Sequence, residues 1–222
     1  MLLKTKGIVL NFIKYKETSI ISKIYTEEFG LQSYIINGIR SKNSKTKISA
    51  FQPLSLLDMV VSMKKNFSLG YIKEIKFDFI FMSNHQNQKK ISICLFLSEV
   101  LIKLINYQID DAIKYYFVRN SLIELDTTKN NFENFHLQFL VKFSKYLGFE
   151  ITNIEDFSNV KFEDKKIILF LSKIIKSDYS SLIKSTSFIR NKALDIIINY
   201  FSEKTEIKLN LNSHSVLHNL SS

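Results

Sequence analysis

The chain has 222 residues, 45% of them apolar and 23% charged, with a formal net charge of +10. It is long enough for one large domain or two small ones and too apolar to be disordered, and Cys94, the only cysteine, excludes an internal disulfide. Apolar runs such as Ile167–Leu171 fall far short of the ~20 residues that span a bilayer, so a reduced, cytoplasmic, membrane-free setting is expected.

From Lys4 to Phe79 the apolar period is two, and five strands are predicted. The first covers Lys4–Lys14, with Ile8, Leu10 and Phe12 on one side. The second is Thr18–Tyr25 and, after a turn at Glu27–Gly30, the third is Leu31–Ile39. The fourth is Leu54–Met63. The fifth, Leu69–Phe77, follows a hairpin marked by Asn66, with Leu69, Tyr71, Ile75 and Phe77 on one face. Five short strands with no long helix among them suit a small closed barrel of the OB kind, and an SH3-like barrel fits the same pattern.

Ser83–Lys90 reads as a polar linker. Beyond it the period becomes helical. Leu97, Val100, Leu101, Leu104 and Ile105 form one stripe, and Ile113, Tyr116 and Phe117 begin a second. The third is Phe132, Phe135, Phe139, Phe143 and Leu147, with Asn130 or Asn131 as its cap and Gly148 at its exit. Glu150–Phe162 is polar and irregular. Ile167, Phe170, Leu171, Ile174 and Ile175 make a fourth stripe, Ile189, Ala193, Ile196, Ile197 and Tyr200 a fifth, and a short helix is expected at Ser215–Leu220. The fold class is therefore α+β: a five-stranded barrel over residues 1–80, then a helical domain over 81–222 with an irregular segment near 149–165.

The chemistry of enzymes is missing. The five glycines, at 7, 30, 38, 70 and 148, make no phosphate loop and no GxGxxG. One cysteine and four histidines are too few for the usual zinc clusters. His214 and His218 are four apart but have no further ligand nearby, and His136 reads as a packing residue on its helix. The acidic pairs Glu27-Glu28, Asp110-Asp111, Glu155-Asp156 and Glu163-Asp164 read as turns or helix starts. No catalytic residue, cofactor or metal is predicted, and a metal-dependent nuclease ranks last among the readings.

Charge is what stands out. Residues 1–80 carry 13 Lys and Arg against 6 Asp and Glu, and residues 81–222 carry 18 against 15. Such asymmetry attracts polyanions, nucleic acid foremost, unless it only solubilises the surface. The loop Gly38–Lys47 holds Arg40, Lys42, Lys45 and Lys47, with no carboxylate between Glu28 and Asp58 to neutralise them. Ser41, Ser44 and Thr46 add hydroxyl donors. Lysines and arginines on a loop pair with backbone phosphates and release counterions, and Lys14 and Lys16 at the first hairpin extend the track. Tyr15, Tyr25 and Tyr34 are candidate stacking faces for unpaired bases, each balanced by a half-buried barrel position.

Several pieces occur in a fixed order: Gly7-Ile-Val-Leu10, Tyr15-Lys-Glu-Thr-Ser19, Tyr25-Thr26 with Gly30, Gly38-Ile-Arg-Ser-Lys42 and Phe51-Gln-Pro-Leu54. In these the first 80 residues resemble the RecO family of bacterial DNA repair and recombination mediators. Ser98-Glu99, Phe139 with Leu147-Gly148, and Asn212-Ser213 before Val216-Leu217 are similar to its helical domain, with Asn212 in place of a lysine. The resemblance implies an OB fold joined to a helical domain, binding of single- and double-stranded DNA, and annealing of complementary strands. It also implies partners: RecR, the acidic C-terminal tail of single-strand-binding protein and, indirectly, RecA, all in the bacterial cytoplasm at the nucleoid. The DNA-binding role carries over to Arg40, Lys42 and Lys47. Many members place a four-cysteine zinc module after the Leu-Gly pair; Phe149–Phe162 has no cysteine, so zinc is not expected. An acidic, Phe-ending tail needs an apolar cleft rimmed by cations, for which Lys114, Arg119, Lys142 and Lys145 are candidates. The alternatives are a general OB-type single-strand binder and a non-catalytic adaptor.

Overall fold

In a computed structural model of the chain, residues 2–42, 44, 47–62, 69–105, 111–157 and 164–213 are described. Five strands come first: β1 (Leu2–Tyr15), β2 (Ser19–Thr26), β3 (Gly30–Ile36), β4 (Leu56–Ser62) and β5 (Gly70–Phe79), with a 3-10 helix at Ile48–Phe51 between β3 and β4. They close in the order β1-β2-β3-β5-β4. All neighbours are antiparallel except β3 and β5, which run parallel over only Tyr34↔Gly70 and Ile35↔Tyr71. This is the five-stranded barrel of the OB fold. Five helices follow: α1 (Gln88–Leu104), α2 (Ala112–Thr127), α3 (Phe135–Tyr146), α4 (Lys165–Ile175) and α5 (Ser187–Thr205), with a 3-10 turn at Ile154–Phe157. Among the described residues no helix is long and apolar enough to cross a membrane.

The alternation of the strands sorts their side chains into two cores. Val9, Ile20, Ile24, Tyr34, Phe51, Leu57, Met59 and Val61 fill the barrel. Ile8, Leu10, Tyr25, Leu31, Leu54 and Leu56 join the helical core instead. β1 is thus buried on both faces at Ile8, Val9 and Leu10, because the barrel lies on one side of it and α1 on the other. Ser98 on α1 donates from its hydroxyl to the Leu10 carbonyl, where the ladder leaves that group free at a bulge. Tyr25 meets Tyr115 of α2 with ring centroids 5.5 Å apart.

Bulges account for the misassigned faces. The β1–β2 register shifts between Val9 and Asn11, so Phe12 does not follow Ile8 and Leu10 but packs against the barrel core. In β5 the register shifts between its partners Val60 and Val61. That moves Ile72, rather than Tyr71, against the barrel core beside Ile75. An extra residue flips every side chain beyond it.

Three helical expectations need correcting. Ser83–Lys90 is not a solvated linker: Asn84 and Lys90 are buried, and α1 already starts at Gln88, capped by the Asn87 side chain on the Lys89 and Lys90 N–H groups. α2 faces the core with Tyr115, Val118, Leu122 and Leu125, whereas Ile113 is 74% exposed. The cap of α3 is Asn134, not Asn130 or Asn131. Gly148 does leave α3 with a left-handed φ of 86°. The acidic pairs serve as helix starts or turns: Asp111 caps α2, Asp164 caps α4, and Asp156 accepts from the Thr152 and Asn153 N–H groups. Cys94 and His136 are buried, as packing residues, and the His136 ring meets Phe96 edge-on. The hairpin at Asn66, the helix Ser215–Leu220, His214 and His218 lie outside the described residues.

Candidate nucleic-acid interface

The turn after β1 and the exit of β3 are far apart in sequence, at Lys16 and Gly38, but share one end of the barrel, because β2 pairs with both strands. Lys16 takes φ 50° to complete the first turn, and Gly38 takes φ 69° where the chain leaves β3. Backbone then ties the two together. The Arg40 N–H donates to the Thr18 carbonyl at 2.9 Å, and the Arg40 guanidinium reaches the Lys16 carbonyl at 3.3 Å. Ser41 donates from both its N–H and its hydroxyl to the Gly38 carbonyl, and the Ser44 N–H donates to the Ser41 carbonyl. These serines shape the loop start. Ile39 is buried and anchors it.

Lys14, Lys16, Arg40, Lys42 and Lys47 are all exposed. The structure thus gathers Lys14, Lys16 and Arg40 at one rim, with Glu17 the carboxylate in the same turn. Lys42 continues from Arg40 along the loop. Lys47 emerges at its far side, next to the 3-10 helix. Lys45 lies outside the described residues. Of the three tyrosines, Tyr15 is half-exposed, with the Lys16 ammonium 5.3 Å from its ring centre. Tyr25 and Tyr34 are buried core residues and offer no face to a base; burial pushes the Tyr34 hydroxyl well above the usual phenol range.

The four helical cations divide. Arg119 is committed to the join between barrel and helices: its Nε is 2.6 Å from Asp78, which also holds Lys6 at 3.0 Å. Asp78 occupies the β5 bulge opposite Leu56 and Leu57, which turns it toward α2. Burial alone would raise its carboxyl, but hydrogen bonds from Arg119 and Lys6 outweigh that and hold it below the usual range. Lys114 pairs with Asp111 at 3.3 Å within the α2 cap. Lys145 is 4.0 Å from Glu150. Lys142 rims a groove of about 640 Å³ between α2 and α3, whose wall is formed by Ile113, Tyr116, Phe117, Tyr146 and Tyr179 together with the carboxylates Glu124 and Asp178. Phe117 and Tyr146 stack in it at 4.4 Å, and Lys142 pairs with the exposed Asp178 at 3.2 Å. Sequence periodicity assigned Ile113 and Tyr116 to the core; their exposure is what makes the groove apolar.

The model of the family Recombination protein O N terminal matches residues 1–80. The chain is 39% identical to DNA repair protein RecO of Bacteroides fragilis over 157 residues, which is 71% of this chain and 64% of that relative. It is 36% identical to DNA repair protein RecO of Phocaeicola vulgatus over 172 residues, 78% of this chain and 71% of the relative. A further DNA repair protein RecO, from Christiangramia forsetii, is 30% identical over 220 residues, 90% of this chain and 91% of the relative. The match thus spans a little under two thirds of the Bacteroides fragilis protein and nearly all of the Christiangramia forsetii one.

Proposed function

The chain belongs to the RecO family, and from that premise we propose that it serves DNA repair and homologous recombination by binding rather than by catalysis. Residues 1–80 act as the nucleic-acid-binding unit and residues 81–222 as a helical unit that holds a protein partner. The observation that carries the reading is the exposed basic rim of Lys14, Lys16, Arg40 and Lys42, fixed by the bonds of Arg40 to the first turn.

Such a rim neutralises phosphates without reading bases. Two complementary strands that repel each other in solution lose that repulsion on a shared cationic surface, and annealing accelerates. No bond is made or broken by the protein, so no residue has a catalytic role. The α2–α3 groove gives the acidic tail of single-strand-binding protein an aromatic floor and the Lys142 ammonium at its edge. Together the two surfaces account for a mediator that, with RecR, loads RecA on coated strands. Arg119 and Lys114 do not line the groove, and each, like Lys142, already holds a carboxylate.

Annealing of two complementary oligonucleotides, followed by fluorescence energy transfer, tests the reading. The wild type accelerates annealing at low salt, and the Arg40→Ala/Lys42→Ala variant does so several-fold less. Equal acceleration by both removes the rim from the mechanism. For the groove, a labelled peptide ending in acidic residues and Phe binds the wild type and is weakened by Lys142→Ala and Tyr146→Ala. Unchanged affinity in both variants moves the tail elsewhere.

A further inference from the structure

The β5 strand carries an aromatic residue that the barrel does not cover. Phe77 pairs directly with Leu57, and directly opposed residues in an antiparallel pair share a face. Leu57 is fully buried in the barrel core, yet Phe77 is 45% exposed. The cause is topological. β3 pairs with β5 only as far as Tyr71, so among the described residues the rest of β5 has no strand on that side. The 3-10 helix Ile48–Phe51 fills part of the gap and leaves a groove of about 310 Å³ beside it. Ala50, Leu57, Ile75 and Phe77 form its apolar surface, and Lys47 and Lys76 its polar edge. Among the described residues no carboxylate lines it, although Lys76 also reaches Asp58 at 3.1 Å on the outer face of the sheet.

We propose that this groove is a base-stacking subsite for one unpaired nucleotide, with the base on the Phe77 ring and the neighbouring phosphate on Lys47. The inference rests on the nucleic-acid reading above and adds to it a place, a ligand part and a residue. Three features favour a nucleotide. Its size is at the small end of ligand sites, which span ~300–1,000 Å³, and suits a single planar group rather than a duplex or a helix. Its edge is cationic, which complements a phosphate. Lys47 is also the last cation of the loop that begins at Arg40, so a strand following the loop arrives at Phe77. Aromatic faces hold bases of any sequence, because every base has a π-face. The cations of the basic rim lack this, since they sense charge and do not distinguish a strand with bases from one without.

The test compares an oligothymidylate with an abasic strand of the same length and charge, by anisotropy against wild type, Phe77→Leu and Phe77→Tyr. Leucine keeps the apolar bulk and removes the ring face, and thermal melts establish that each variant is folded. The wild type binds the oligothymidylate more tightly than the abasic strand. Phe77→Leu loses about 5-fold or more of the oligothymidylate affinity and leaves abasic binding unchanged, while Phe77→Tyr behaves as wild type. Arg40→Ala/Lys42→Ala weakens both strands alike, which separates the rim from the subsite. A folded Phe77→Leu with wild-type affinity for the oligothymidylate overturns the subsite and leaves the rim standing. Binding of neither strand by the wild type overturns both. An acidic peptide that binds wild type but not Phe77→Leu, with strand affinities equal in the two proteins, assigns the groove to a protein partner instead.

Discussion

Gly7 on β1 leaves no room for a side chain against the barrel core. A methyl group there would sit 2.5 Å from Met59 Cε and 2.6 Å from Ile24 Cγ2. The methionine end can swing away, but the β-branched Ile24 is stiff. Gly7→Ala is therefore expected to lower stability by roughly 1–3 kcal/mol, measured by urea denaturation. Lys90 and Asp126 form a second point of dependence. The Lys90 ammonium donates to the carbonyls of Leu125, Asp126 and Thr128 at the end of α2, where a cation also suits the helix dipole. The Asp126 carboxylate accepts the N–H groups of Met82, Ser83 and Asn84 at 3.0, 2.7 and 2.8 Å. Lys90→Met leaves the carbonyls unpaired and costs about 3 kcal/mol. Burial would raise the Asp126 carboxyl, but the backbone donors outweigh it and hold it below its ordinary 3.8. A carboxyl lowered in the folded state stabilises fully above its unfolded pKa and stops doing so as pH falls through the folded value. Stability is thus expected to drop below about pH 4, with a shallower drop in Asp126→Asn, followed by acid titration of the far-UV signal. None of this was legible in sequence, since Ser83–Lys90 has the composition of a linker and its partners lie more than 30 residues away.

At the scale of elements, strand count and order follow from period-two patterning, and each strand falls within a few residues of its expected bounds. The faces do not follow beyond a bulge. Phe12 and Tyr71 show why: one extra residue leaves the local pattern intact and reverses what it faces. The same effect hid the role of Asp78, which strict alternation puts on one face with Glu74 and Lys76, opposite Ile75 and Phe77. The β5 bulge brings it to Lys6 and Arg119 instead. This carboxylate locks barrel to helix, so Asp78→Ala and Arg119→Ala should be non-additive, with a coupling of about 1–3 kcal/mol in a double-mutant cycle. Additive effects would mean the pair bears no load. Two pieces of the family likeness also meet in space. Glu99 on α1 accepts from the Asn212 and Ser213 N–H groups and the Ser213 hydroxyl, so Ser98-Glu99 ties α1 to the barrel on one side and to the C-terminal segment on the other. Their spacing in the chain gave no hint of that contact.

The whole molecule is two charge environments joined by the helical core, which takes side chains from both barrel and helices. The basic excess of residues 1–80 was plain in composition, and the barrel turns much of it to one rim through the bond between Arg40 and the first turn. Which cations remain available was not plain: Arg119 was a candidate by charge alone, and its ion pair with Asp78 is a product of tertiary packing. The barrel also cannot stand as a closed unit, because Ile8, Leu10, Leu31, Leu54 and Leu56 belong to the helical core. A fragment of residues 1–80 should expose that surface, bind a hydrophobic dye and melt well below the full chain. The central claim is that the loop from Arg40 to Lys47 holds a phosphate backbone. Anisotropy of a labelled single strand across a salt series, for wild type and for Arg40→Ala/Lys42→Ala/Lys45→Ala/Lys47→Ala, tests it most directly. Each phosphate contact contributes about −0.7 to the slope of log K against log salt, so four give roughly −3. The account predicts weaker binding by the variant with a slope shallower by about that amount; equal affinities and equal slopes in the two proteins would contradict it.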